Sequence, residues 1–229
     1  MHIGVMLPSF RPDADAALDG ARRAEELGLD GVFVYDHLWP MGRPDRPALS
    51  AFPLLGALAA VTRRVCFGPL VARVGLVPED VLVAELLSLH HMAPGRLVAA
   101  LGTGDDKSRA ENLAYGIAYP PADERRLALR RCATRLRDAG VTVWVGGGSS
   151  ATGELAAELG VALNLWEGQP AALAAWQQRG EVTWAGPVPD DVPGAARWLD
   201  EVRRAGATWA VCAWPSSLEV LAEAARLER

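Results

Sequence analysis

The chain repeats one pattern from end to end: a short apolar run, a polar or glycine-bearing loop, an amphipathic stretch of helical period, then a glycine and the next apolar run. The apolar runs predict strands at His2–Pro8, Gly31–Tyr35, Val65–Val71, Leu97–Leu101, Val141–Val145, Val161–Trp166, Glu181–Ala185 and Thr208–Ala213. Helices are predicted between them. The first is capped by Asp13 and stopped by Gly28, the second covers Ala51–Val61, and the third begins at Pro78 with acids in its first turn. Further helices cover Ala122–Ala139, Ser149 or Ser150 to Leu159, Pro170–Gln178 and Val192–Ala205. The last opens on "SSLE", where Ser216 and Glu219 have capping-box spacing. No hairpin signal joins consecutive strands, so neighbours are parallel and the helices are their crossovers. Eight such units in 229 residues predict an α/β fold, a closed (β/α)8 TIM barrel forming a single domain over 1–229. A doubly wound sheet would usually carry a glycine loop after its first strand, and here that place reads "LPSFRPDAD".

Composition narrows the function classes. A net charge of −5 offers no basic face for nucleic acid. No window approaches the length of a membrane span, and "MHIGVMLPSF" has no charged n-region, so a cytoplasmic protein is expected. Cys66, Cys132 and Cys212 lack metal-ligand spacing and read as small core hydrophobes. No His-x-His pair stands at a strand end, so no metal is expected.

Chemistry in such barrels collects where strands end, on the C-terminal face. Strand two ends in Asp36, His37 and Trp39. His37 can donate or accept a proton, and Asp36 can hold its tautomer or bind a cofactor edge. Adjacent strand residues point to opposite faces, so both can face the interior only if the chain leaves strand geometry at Asp36. The alternative is a capping aspartate beside a surface histidine. Strand four ends in "GTGDDKS", where glycines permit close approach to a flat ligand, Thr103 supplies a hydroxyl and Asp105 a carboxylate; the plainer reading is a tight turn before a helix. Strand five ends in Gly146, Gly147 and Gly148, then Ser149 and Ser150 at a helix start. Backbone N–H groups and the helix N-terminus there suit a phosphate, or the loop is merely flexible with a good cap. Barrels more often bind phosphate after strands seven and eight. Trp39, Trp166 and Trp214 stand at strand exits, where indoles can wall a pocket for a flat conjugated ligand. His90 and His91 fall late in a helix and suit its C-terminal dipole. Glu167 and Asp105 are the one tempting carboxylate pair for glycoside chemistry, with nothing to say that they face each other.

Taken in order, "IGVMLPSF", "AEELGLDGVFVYDHLWP", "VPEDVLVAELLSLHHMAPGRLVAALGTG", "VWVGGGSSATGELAAELG", "NLWEG" and "GATWAVCAWP" resemble the luciferase-like superfamily of flavin- and deazaflavin-dependent oxidoreductases. The resemblance spans nearly the whole chain and implies the same (β/α)8 barrel. Asp-His after strand two is typical of the branch that uses the 8-hydroxy-5-deazaflavin coenzyme F-420. By that similarity Asp36 touches the coenzyme, His37 handles the proton or stabilises charge, and Trp39 lies beside the reacting centre. Thr103, Gly104 and Ser108 line the cofactor, Asp105 matches a position where relatives carry a glutamate acid, and Gly146 to Ser150 hold the phosphate. Leu70, Val71 and Ala72 match the segment behind the ring, where relatives often carry a non-proline cis peptide. Hydride transfer to or from a small organic substrate is implied. Within the same fold the alternatives are a monooxygenase using reduced FMN and a non-catalytic barrel binding flavin or a partner. Many relatives pair as homodimers through helices two and three. Relatives are longer between strands four and five and after strand seven, and they usually carry an aspartate where this chain has His90. Such shortened loops imply an open site, a large substrate, a partner acting as lid, or lost catalysis.

Overall fold

The computed structural model describes residues 1–227. Its strands are β1 (His2–Met6), β2 (Gly31–Val34), β3 (Cys66–Pro69), β4 (Ala72–Arg73), β5 (Val98–Gly102), β6 (Thr142–Gly146), β7 (Ala162–Trp166), β8 (Val182–Gly186) and β9 (Ala207–Cys212). They form one parallel sheet in the order β3-β2-β1-β9-β8-β7-β6-β5-β4. The sheet closes where Phe67 N–H donates to Arg96 O at 2.9 Å and Phe67 bridges Leu97. Gly68 permits that approach, since a Cβ there would fall 1.9 Å from Val98 O. The result is a (β/α)8 barrel. The predicted third strand, Val65–Val71, is corrected to two pieces, because the stave breaks at Leu70–Val71, where the peptide is cis. β3 and β4 together make one of eight staves.

The helices are α1 (Asp15–Leu27), α2 (Ala51–Val61), α3 (Glu79–Met92), α4 (Asp106–Ala114), α5 (Ala122–Asp138), α6 (Ser150–Leu159), α7 (Pro170–Gln177), α8 (Val192–Arg204) and α9 (Leu218–Leu227). Gly28 and Gly160 end α1 and α6 in the left-handed region, as their sequence positions imply. Three caps differ from expectation. Asp13 lies before the cap position of α1, which Ala14 occupies, and Pro78 precedes α3 as its cap instead of opening it. Ser216 turns back to donate to Ala213 O at 2.6 Å, leaving Ser217 Oγ to accept from Val220 N–H.

Apolar packing falls into two layers. Between staves and helices lies a broad aliphatic layer, in which each fully buried Leu or Val contributes about 1.5–3 kcal/mol. Inside the barrel a smaller set includes Met6, Phe33, Val98, Ala100, Trp144 and Val211. Phe33 stacks on Trp144 at 5.5 Å, and Trp144 meets Trp209 edge-on at 5.5 Å, plugging the lower half. Cys132 and Cys212 are free and buried in the core, as their sequence surroundings predict. Among the described residues no helix is long and apolar enough to cross a membrane, and no cluster of His, Cys, Asp and Glu could hold a metal ion.

Candidate active site

A cavity of about 730 Å³ opens at the C-terminal ends of the staves. Strand alternation decides what β2 sends into it. Phe33 faces the barrel interior, Tyr35 and His37 follow at two-residue steps and line the cavity, and Asp36 turns the other way into a buried position. Asp36 Oδ2 accepts from Arg73 N–H at 2.9 Å, and its carbonyl accepts from Arg73 Nε at 3.3 Å. The Arg73 guanidinium then reaches α4: Nη1 donates to Asn112 Oδ1 at 3.2 Å and Ser108 O at 3.4 Å. Nη2 lies 2.9 Å from Glu111 Oε2, an ion pair at an angle outside hydrogen-bond geometry. The same Oε2 is 2.9 Å from His37 Nδ1, while Oε1 accepts from Leu38 N–H.

The two acids in this network are pushed in opposite directions. Burial raises the Glu111 carboxyl, but the His37 bond, the Leu38 N–H and the Arg73 charge outweigh it and hold the group below the usual range. For Asp36 burial prevails over the Arg73 N–H and charge, and the carboxyl lies above the usual range. An ionised Glu111 is an acceptor only, so the facing His37 Nδ1 carries its proton there. That leaves Nε2 to face a ligand in the cavity.

On the stave next to that of His37 begins a cradle. The broken stave presents Val71 into space that glycines leave open: a Cβ on Gly102 or Gly146 would fall 2.4 or 2.5 Å from a Val71 methyl. Thr103, Gly104, Asp105 and Ser108 line the same side. Asp105 caps α4, with Oδ1 accepting from Ser108 N–H and Oγ, both at 3.0 Å. Gly147, Gly148 and Ser149 line the cavity at the start of α6. Ser149 caps that helix, its Oγ accepting from Thr152 N–H at 3.2 Å. Ser150 is the first helical residue and does not line the cavity.

The third side is aromatic. Phe10 stacks on Tyr35 at 5.3 Å and 8°. Tyr35 in turn meets Trp166 edge-on at 6.0 Å. β2 and β7 stand opposite each other in the ring of staves, so this contact spans the barrel mouth. Leu70, Val71 and Trp166 line the cavity as expected by position; Ala72, Trp39 and Trp214 do not. Trp39 leaves with its loop to pack on Tyr115 at 5.5 Å, Trp214 is exposed, and Ala72 is wholly buried behind Val71. Asp36 does not line the cavity either, because its carboxylate is committed to Arg73. Glu167 binds its neighbour Trp166 Nε1 at 3.0 Å and lies outside the lining, so it is not brought to Asp105. Sequence reasoning missed Glu111, Arg73, Tyr35 and Phe10. An available signal was Arg73 itself, a lone charge inside the apolar run "LVARVGL".

A glycine-cradled cavity with one aromatic side and a tethered histidine thus stands on the C-terminal face of the barrel, where (β/α)8 enzymes carry their sites. Residues 1–137 match the family model described as luciferase-like monooxygenase, and the chain belongs to that family. It is 33% identical over 147 residues to the F420-dependent glucose-6-phosphate dehydrogenase of Microbacterium testaceum (strain StLB037), a match covering 64% of this chain and 42% of that protein. The enzyme of the same name from Kineococcus radiotolerans is 37% identical over 113 residues, covering 49% and 33%. The matches thus span less than half the length of these relatives. Among solved structures, an F420-dependent secondary alcohol dehydrogenase in complex with an F420-acetone adduct superposes with a TM-score of 0.80 at 15% identity, over 98% of this chain and 97% of that one. An FMN complex of the oxygenating constituent of 3,6-diketocamphane monooxygenase from Pseudomonas putida gives 0.63 at 17% identity, over 89% and 73%. At such identities the likeness is one of fold.

Proposed function

We propose that this chain is an oxidoreductase, a single barrel domain that holds the deazaflavin coenzyme F-420 across its mouth and passes a hydride between that coenzyme and a small organic substrate. The observation that carries this is the tethered His37, held by Glu111 in the same cavity as the Val71, Gly102 and Gly146 cradle. The residues fit the group: a flat ring can lie against Val71, seated over Gly102 and Gly146, and its phosphate can take the N–H groups of Gly148 and Ser149 at the start of α6, the Gly147 N–H being held by Asn164 O. The naming of the curated relatives as F420-dependent supports the same choice. When bound, the coenzyme supplies a two-electron carrier whose ring carbon gives or takes hydride.

His37 Nε2 would take the proton of a substrate hydroxyl, or return it in the reverse direction. Glu111 would stabilise the imidazolium that results, and Arg73 keeps Glu111 ionised. Asp36 acts through Arg73 as a positioning residue. Asp105 is a second proton donor by resemblance, with one oxygen committed to its cap. Thr103, Gly104 and Ser108 would flank the ring, and Phe10, Tyr35 and Trp166 would exclude water. Homodimer pairing and a cytoplasmic location belong to the same proposal; free thiols at Cys66, Cys132 and Cys212 suit a reducing compartment.

A second reading, a monooxygenase using reduced FMN, is favoured by one feature. Among the described residues the basic groups lining the cavity, His37 and Arg73, are both engaged with Glu111, which leaves no uncommitted cation there for a longer anionic tail, and FMN ends at its phosphate. Titration of the purified protein with oxidised deazaflavin coenzyme and with FMN, followed by tryptophan fluorescence, separates them. Saturable micromolar binding of the deazaflavin alone is expected; FMN binding with no deazaflavin response reverses the assignment. In a His37→Ala variant, hydride transfer slows while coenzyme affinity stays within about tenfold, or ~1.4 kcal/mol. Unchanged turnover would remove His37 from the chemistry.

A further inference from the structure

Resting on the hydride-transfer reading, we infer that the substrate is an uncharged, ring-bearing alcohol or the corresponding carbonyl compound, and not a sugar phosphate. The space left beside a ring held on the Val71 side is bounded by Phe10, Tyr35 and Trp166. These three are joined face to face and edge to face across the mouth, so they form a standing wall that needs no rearrangement to accept another ring. An aromatic ligand in offset or edge contact with such a wall gains about 0.5–1.5 kcal/mol beyond its buried area.

The charge census points the same way. His37 and Arg73 are the basic residues among the cavity lining. The Arg73 guanidinium is committed to Asp36 O, Ser108 O, Asn112 and Glu111. Arg11, Lys107 and Arg109 stand close in sequence to lining residues, yet none of them lines the cavity. The α6 N-terminus already serves the coenzyme phosphate. A substrate phosphate, carrying about −1.5 to −2 charge at neutral pH, would meet aromatic faces and the Asp105 carboxylate, with no uncommitted cation among the described lining residues. The polar needs of a neutral carbinol are small and are met. His37 Nε2 accepts its proton, and Tyr35, whose phenol burial pushes up to about 12, remains a neutral donor beside it.

The step balances without another reactant. The carbinol C–H bond breaks and its two electrons leave with the hydrogen to the coenzyme ring carbon. The hydroxyl proton passes to His37, and the C–O bond becomes a carbonyl. The substrate is oxidised by two electrons and the coenzyme reduced by two.

The test is ligand-observed saturation-transfer NMR on the full chain, with and without oxidised deazaflavin coenzyme, using acetophenone, 1-phenylethanol and glucose 6-phosphate as probes. Acetophenone and 1-phenylethanol should bind saturably and compete with each other, while glucose 6-phosphate gives no saturable signal. Trp166→Ala should weaken acetophenone binding about tenfold with the thermal melt unchanged, since Trp166 is 45% exposed; Phe10→Ala should act likewise. Coenzyme bleaching with 1-phenylethanol and not with glucose 6-phosphate completes the expected result. The inference is overturned if glucose 6-phosphate binds or turns over as well as the aromatic probes. It also falls if no aromatic probe binds under either condition, or if neither variant weakens binding. Failure of the hydride-transfer reading looks different: aromatic probes bind, but the coenzyme neither binds nor bleaches.

Discussion

The two ends of the barrel use the same residue types to opposite effect. At the lower end, glycines make room for large rings: a Cβ on Gly31 would fall 2.8 Å from Trp209, and one on Gly4 3.0 Å from Phe33. The rings fill that space and the end is solid. At the mouth, a Cβ on Gly102 or Gly146 would meet the Val71 methyls first, and one on Gly148 would meet nothing within 4 Å. A glycine therefore yields a cavity only where the facing stave offers no large side chain. The two ends are also held differently. Dispersion and burial hold the plug, whereas the mouth, which must stay open, is held by one buried charge network from Asp36 through Arg73 to Glu111 and His37.

Cutting that network should have the largest effect. Arg73→Met leaves two buried carboxylates without their cation, and loss of one partner from a buried ion pair costs about 3–5 kcal/mol. Urea denaturation should show that loss, and a shift below about 1 kcal/mol would mean the charges are solvated and hold nothing. Gly31→Val comes next. Overpacking against Trp209 should cost about 1–3 kcal/mol, with coenzyme affinity in the surviving folded fraction unchanged. Gly102→Ala reverses the pattern: its methyl displaces Val71, so coenzyme binding weakens about tenfold, ~1.4 kcal/mol, while the melting temperature moves less than in Gly31→Val. If both variants lose stability equally and neither touches binding, the division of labour between the two ends is wrong.

How far each end was legible in the sequence follows from the same physics. The staves were readable because each is a local apolar run, and the helices because each carries its own periodicity and stop. The break in the third stave was not, since "LVARV" is apolar on both sides of it and only the fit of Val71 over two distant glycines reveals it. Ser149 and the glycine loop were readable as a helix start. Alternation correctly forbade Asp36 and His37 from sharing a face but left open which of them turned inward. Glu111 was invisible: "DDKSRAENLA" has the composition of a solvated helix, and its partner His37 is 74 residues earlier. The three exit tryptophans are indistinguishable by position; the paths of their loops bring Trp166 to the cavity and take Trp39 and Trp214 away.

The smallest expected effect concerns pH and again sets one end against the other. At the lower end Glu25 accepts from the backbone N–H groups of Arg63, Arg64 and Val65 at 2.9, 2.5 and 3.0 Å. Burial raises its carboxyl, but those three donors prevail and hold it below the ordinary glutamate value, as happens to Glu111 at the mouth. A carboxyl lowered on folding adds stability at pH above its unfolded value, and that stability disappears as pH falls through the folded value. Asp36 has the opposite sign: its raised carboxyl makes burial costly at neutral pH, and acid relieves the cost. Glu25→Gln should therefore lower stability modestly at neutral pH, with the gap to the parent closing in acid and coenzyme binding untouched throughout. Glu111→Gln should show the same closing gap, and in addition should slow hydride transfer, because the neutral amide no longer stabilises a charged His37. Denaturation curves across the acid range for both variants, with turnover measured alongside, test the pair. A Glu25→Gln gap that stays constant into acid would show that the three N–H bonds do not depend on the carboxylate charge. Equal turnover in the parent and Glu111→Gln would reduce Glu111 to a structural tie.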